Sequence, residues 1–196
     1  ITPDSLFIRL SNLNTWELLF YRGFIPFIFV LVGLLLFYRS KFLDAIFNIG
    51  YTGIFYVISF SVCNITFIIS IQNTNVANTL IMVAMAPMLS AVLATIFLKE
   101  KTSNKTWVAI FITFFSVAFI FYDSLQIGNI LGDIFGFITA MGLAINANLA
   151  RYAKERDLVP SAVIGKLCVA IFALFFVESF ELVDTDLIIV PVMCIM

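Results

Sequence analysis

Histidine is absent from this chain. That removes the side chain most often used as a general base and as a metal ligand. The three cysteines, Cys63, Cys168 and Cys194, lie far apart inside apolar runs and form no CxxC or other metal-ligand spacing. They read as small apolar packing residues, and neither a metal nor any other cofactor is expected. Charge is scarce as well. Only 12% of residues are charged, about half the share of a soluble domain. No basic patch is interleaved with aromatics outside short loops, which argues against nucleic acid as a partner.

Apolar surface is what the chain has in excess. Hydrophobic residues make up 62% of it, and the mean hydropathy is +1.10. A water-soluble chain of this length could not hide so much in one core, whereas a bilayer solvates it. Six long apolar runs cover roughly residues 16–38, 50–71, 79–98, 107–122, 130–150 and 161–180, near the ~20 residues a helical crossing needs. The fold class expected is all-α, a polytopic membrane helical bundle. Residues 1–12 read as the end of a further helix. Short connections suggest consecutive antiparallel neighbours. Asn78 is a candidate N-cap for the third run. Pro26 and Pro87 fall inside the first and third runs, where a kink or compensation by neighbours is expected.

Basic residues alternate between loops. They cluster at Arg39 and Lys41, at Lys99, Lys101 and Lys105, and at Arg151, Lys154 and Arg156; the stretches 72–78, 123–128 and 178–186 have none. The positive-inside rule places the basic loops in the cytoplasm, with the chain crossing the cell (inner) membrane several times. The opening without Met and the close inside an apolar run read as a fragment of a longer protein.

Some polar residues fall inside the runs. Arg22 is a guanidinium within a membrane helix, where such residues face a cavity or an anionic partner. It reads either as a ligand for a substrate carboxylate or as an interface anchor paired with Glu17. Asp133 reads as a proton carrier or as an acid favoured by a helix N-terminus. Tyr56, Ser59, Cys63, Thr66 and Ser70 recur at steps of three and four and share one side of a helix; Asn64 lies about a quarter turn away. That stripe serves either interhelical hydrogen bonding or a substrate. The reading adopted puts Arg22, Tyr56, Ser59 and Cys63 on one central cavity, with Asn64 and Asp133 as further substrate-binding candidates. Gly136, Ala140 and Ala144 form a small-xxx-small series suited to close packing. Pro87 is a structural kink, and Glu100 a solvated helix end.

Residues 6–10 and 17–22 share a loose pattern with 148–152 and 162–166: a helix ending near an arginine, a polar linker, then a span with a basic residue in its opening turns. The second copy begins five spans after the first. That odd offset inverts it, as in transporters built from inverted repeats.

The stretch 78–123 has a central Pro87, small residues Ser90, Ala91 and Ala94, then Leu98-Lys99-Glu100-Lys101, a basic loop and another span. It resembles EamA-type permeases of the drug/metabolite transporter superfamily. Residues 14–30, with Phe20-Tyr21-Arg22-Gly23, resemble that family's second helix, and 128–151 the opening helix of a second repeat. The resemblance implies ten helices in two inverted five-helix repeats around a substrate cavity. Residues 1–124 would be the first repeat without most of its first helix, and 128–196 the truncated start of the second. It implies a secondary transporter of small metabolites, amino acids or related organic solutes among them, working by alternating access and exporting. The implied partners are the lipid bilayer and a small-molecule substrate, with a coupling proton and a homodimer left open. A sugar-phosphate or nucleotide-sugar carrier of the same superfamily is the alternative. It would want several inward cations, and only Arg22 is clearly inside. A membrane-embedded enzyme would want histidine or clustered carboxylates, and is not expected.

Overall fold

The computed structural model describes Ile8, Ser11, residues 13–38, 49–100, 103–127, 130–154 and 157–177, and Val190. Arg9, Arg39, Lys41, Lys101, Arg156, Cys194 and the stretch 178–186 lie outside the described residues. Among the described residues seven helices follow one another: α1 (Thr15–Tyr38), α2 (Gly50–Asn73), α3 (Val76–Ala84), α4 (Ala86–Phe97), α5 (Asn104–Ile127), α6 (Ile130–Tyr152) and α7 (Val159–Leu174). No strand occurs among the described residues. Four segments of the described residues are long and apolar enough to cross a membrane: Thr15–Phe37, Gly50–Asn73, Val76–Phe97 and Ile130–Tyr152. The protein is an all-α, multi-pass membrane bundle.

Local chemistry sets the helix ends. At the start of α1 the Glu17 carboxylate accepts the Asn14 N–H at 2.9 Å, while the Asn14 carbonyl takes the Leu18 N–H at 3.0 Å. This is the return half of a capping box. The N-cap of α3 is Asn75, whose side chain accepts the Ala77 N–H at 3.2 Å, and not Asn78. The backbone is already extended at Thr74 and Asn75, so the helix restarts three residues earlier than expected. The third apolar run is split at Met85. Pro87 has no N–H for the Val83 carbonyl, and the Met85 N–H turns to Met82 and Val83 instead. α5 continues to Ile127 instead of stopping near 122, because no proline or glycine interrupts it before Gly128 and a helix satisfies its own backbone in lipid.

The helices do not pack as consecutive neighbours. α2 lies at the centre, against α6 on one side and α7 on the other; α1 packs on α7, and α3 and α4 pack on α6. Short loops fix the end at which a helix starts but not its partner, which small and hydroxyl faces select. Paired positions give the directions. Ser59 meets Gly142 and Ser70 meets Gly132, so α2 and α6 are antiparallel. Asn64 meets Lys166 and Gly53 lies at Ser161, so α7 runs parallel to α2. Trp16 meets Phe176 and Gly23 meets Ala170, so α1 opposes α7.

Arg151 and Glu100 meet at 3.6 Å, about half exposed. Two basic segments therefore share one end of the bundle, and Glu100, exposed there as a solvated helix end, also pairs with Arg151. Thr15 bonds to Gln72 at the opposite end, beside the turn at Thr74. Leu18, Leu19, Ile68, Ile71, Val169 and Ala173 form one core cluster where α1, α2 and α7 meet. Met82, Met85 and Ala140 form a second, under α6.

Candidate functional site

α2 presents two different polar faces. One is a hydrogen-bonded seam against α6. Ser59 donates to the Gly142 carbonyl at 3.3 Å and Cys63 to the Thr139 carbonyl at 3.5 Å. The Thr66 and Thr139 hydroxyls share a 2.8 Å hydrogen bond, and Ser70 donates to the Gly132 carbonyl at 2.7 Å. Gly136, Ala140 and Ala144 are buried on α6, as their spacing suggested. Asn148 donates to the Ser90 carbonyl, the Ser90 hydroxyl and the Ala144 carbonyl at 3.0, 3.1 and 2.8 Å. Ser59 and Cys63 thus spend their donors on a neighbouring backbone.

The second face is turned by the quarter step that separates Asn64 from the stripe. It carries Tyr56, Phe60, Asn64 and Phe67, all half-buried. Tyr56 stacks on Phe60 with centroids 5.8 Å apart. Arg22 of α1 lies with its guanidinium carbon 5.8 Å from the Phe67 ring centroid. Lys166 of α7 lies with its ammonium 5.4 Å from the Phe60 centroid and donates to Asn64 Oδ1 at 2.8 Å. The Asn64 amide is held in turn by the Phe60 carbonyl at 2.8 Å. Cations over ring faces are attracted by the ring quadrupole.

The backbone brings these groups together. A Cβ on Gly23 would sit 2.8 Å from both Ala170 N and the Lys166 carbonyl, so α1 approaches α7 this closely only with glycine beside Arg22. Ser61 donates to its own turn at Val57 and to the Gly165 carbonyl at 3.1 Å, joining α2 to α7 next to Lys166.

Arg22, Tyr56 and Asn64 therefore share a face, whereas Ser59 and Cys63 turn from it towards α6. Asp133 is elsewhere, in the first turn of α6. It is fully buried rather than solvated, accepts the Thr74 hydroxyl at 2.8 Å on Oδ1, and has no hydrogen-bond partner for Oδ2 among the described residues. Pro87 is exposed at the start of α4. Lys166 was not among the expected site residues. A signal existed: Arg22 and Lys166 are each the eighth residue of their helix.

Two cavities flank this arrangement. One of about 560 Å³ opens between the start of α1 and the end of α7, lined by Asn14, Thr15, Trp16, Glu17 and Phe175 to Val177. Arg22 lies five residues further along α1, about 7.5 Å deeper. The other, about 290 Å³, is an apolar cleft between α2 and α6, lined by Phe55, Ile58, Ser59, Val62, Phe137 and Met141 among others. Phe55 and Ile58 are exposed, so it opens on the outer surface of the described helices.

A family model described as the EamA-like transporter family matches residues 6–122. No curated protein and no solved structure gives a match.

Proposed function

We propose that this chain, which belongs to the EamA-like transporter family, exports small organic metabolites, amino acids or related solutes, across the inner membrane by alternating access. Members of the family are small-molecule transporters of the drug/metabolite superfamily rather than enzymes. The observation that carries the finer reading is Arg22. It sits about 10 Å into the membrane from the start of α1, half-buried, against the aromatic face of α2. A guanidinium inside a membrane helix is costly, up to about 2.5–3.5 kcal/mol where it reaches the helix centre on insertion scales, and its fork suits a carboxylate. Tyr56 and Asn64 share its face and complete the substrate side of the site.

The two-repeat plan, with residues 1–124 and 128–196 as its parts, is supported by α1 and α7. They are antiparallel, they pack on each other, and each carries a cation at its eighth position. Of the buried acids Glu17 and Asp133, this reading gives the coupling proton to Asp133.

A second reading gains ground from Lys166. A sugar-phosphate or nucleotide-sugar carrier wants more than one inward cation, and Lys166 supplies the second. Proteoliposomes holding the full chain, loaded with separate pools of amino acids, organic acids and sugar phosphates, decide between the readings by efflux and counterflow. Arg22→Ala is expected to transport hardly at all and Arg22→Lys weakly, with normal membrane insertion. Wild-type flux in Arg22→Ala would reduce the arginine to an interface anchor.

A further inference from the structure

We propose that the cavity between the start of α1 and the end of α7 binds a small organic solute carrying a primary ammonium group, held by the Glu17 carboxylate beside the Trp16–Phe176 stack. Its part in transport rests on the reading above; the binding itself does not.

Glu17 is 5% exposed, yet it lines this cavity of about 560 Å³. A buried carboxylate is costly unless donors meet its oxygens. Ionised, it offers about four acceptor sites. The capping contact uses one, where Oε2 takes the Asn14 N–H at 2.9 Å. No other hydrogen bond, and no lysine or arginine, meets Glu17 among the described residues. Acceptor capacity therefore remains on a residue with open volume beside it. An ammonium brings three donors and the opposite charge.

Nothing else that lines the cavity cancels that charge. Asn14, Thr15, Trp16 and Phe175 to Val177 are all uncharged. Two helix ends also meet here, the start of α1 and the end of α7. Their dipoles present about half a charge each, of opposite sign, and offset one another. What is left is the negative charge of Glu17. An acid is repelled from such a cavity, and a neutral solute gains no charge-assisted bond in it. A cation gains both attraction and bond.

The aromatic wall narrows the class. Trp16 stacks on Phe176 with centroids 4.6 Å apart and meets Phe172 edge-on at 6.2 Å. Trp16, Phe175 and Phe176 line the cavity and offer apolar surface to a short carbon chain. Ring faces also attract cations. The volume falls within the ~300–1,000 Å³ of small-molecule sites. Small amines fit this description, and so do amino acids by their amino end.

Butylammonium, butyramide and butyrate have four carbons each and differ in charge. Their binding to the full chain in uncharged maltoside micelles is compared by ligand-observed NMR titration. Wild type is expected to bind butylammonium about tenfold more tightly than butyramide, the worth of one charged hydrogen bond, and butyrate more weakly than either. Glu17→Gln keeps a capping acceptor and removes the charge, and should bring the preference to about threefold or less. Equal binding of ammonium and amide by wild type, which needs no variant to fold, overturns the proposal. A preference that survives Glu17→Gln does the same. Phosphatidylethanolamine carries the same ammonium. If adding it to the micelles abolishes butylammonium binding in wild type, the site belongs to a lipid headgroup and the proposal also falls. A Glu17-dependent preference without efflux of any organic solute keeps the site and ends the transport reading. Efflux without the preference ends the site and leaves transport standing.

Discussion

Thr74 donates its hydroxyl to Asp133 Oδ1 at 2.8 Å, pinning the turn between α2 and α3 to the first turn of α6. Gly132 permits the approach: a Cβ there would sit 2.6 Å from the Thr74 nitrogen. Thr74→Val keeps the shape and removes the donor from a fully buried carboxylate. We predict a loss of about 1–3 kcal/mol, read by reversible unfolding in mixed micelles. Asp133→Asn in the same background should recover part of it, because a neutral amide is easier to bury. No change in Thr74→Val would mean that the bond contributes nothing to stability.

Asn148 makes a sharper case. Its amide nitrogen faces three oxygens, from Ser90 and Ala144. Asn148→Ala should cost about 0.6–1.7 kcal/mol, the range for hydrogen bonds between membrane helices. Asn148→Asp should be worse than Asn148→Ala, since it sets an acceptor against acceptors. The reverse order in the same unfolding assay would show that the side chain is turned the other way.

Gly23 controls the approach of α1 to α7. We expect Gly23→Leu to separate the two helices, since even a Cβ meets backbone atoms at 2.8 Å, at a cost of about 1–3 kcal/mol. The readout is the distance between spin labels on Trp16→Cys and Phe176→Cys in a background without other cysteines, at the positions whose rings stack at 4.6 Å. That distance should lengthen with Gly23→Leu. Equal distances in both would remove glycine from the explanation.

Orientation is open to labelling. Glu100→Cys, at the end where Glu100 pairs with Arg151, should react with an impermeant thiol reagent only after cells are opened. Asn75→Cys, in the turn after α2, should react from outside intact cells. The opposite pattern would invert the topology.

The spans were legible because an apolar run of crossing length has few alternatives in lipid, and α1, α2 and α6 begin within one residue of the expected starts. Neighbour choice was not. It depends on which faces of α2 and α6 carry hydroxyls and glycines at matching heights, and periodicity on one helix does not reveal its partner. The stripe from Tyr56 to Ser70 was visible as a stripe, but a shared side is a broad sector. Ser59 and Cys63 turned to α6, while Tyr56 at its edge joined Phe60 and Asn64. Lys166 was overlooked because one cation near a helix start reads as a topology signal. Its shared helix position with Arg22 gains meaning from its meeting with Asn64 and Phe60.

The two seams of α2 and α7 also differ in the kind of force across them. Hydrogen bonds fix angle and distance together, and Ser59, Cys63, Thr66 and Ser70 place them at four heights between α2 and α6. Those two helices are joined along most of their shared length. Across the other seam, Trp16 lies on Phe172 and Phe176, and bare backbone at Gly23 lies on Ala170. Stacked rings and close backbone hold that seam, so the fit of α1 to α7 is set by shape, where the fit of α2 to α6 is set by the positions of donors and acceptors.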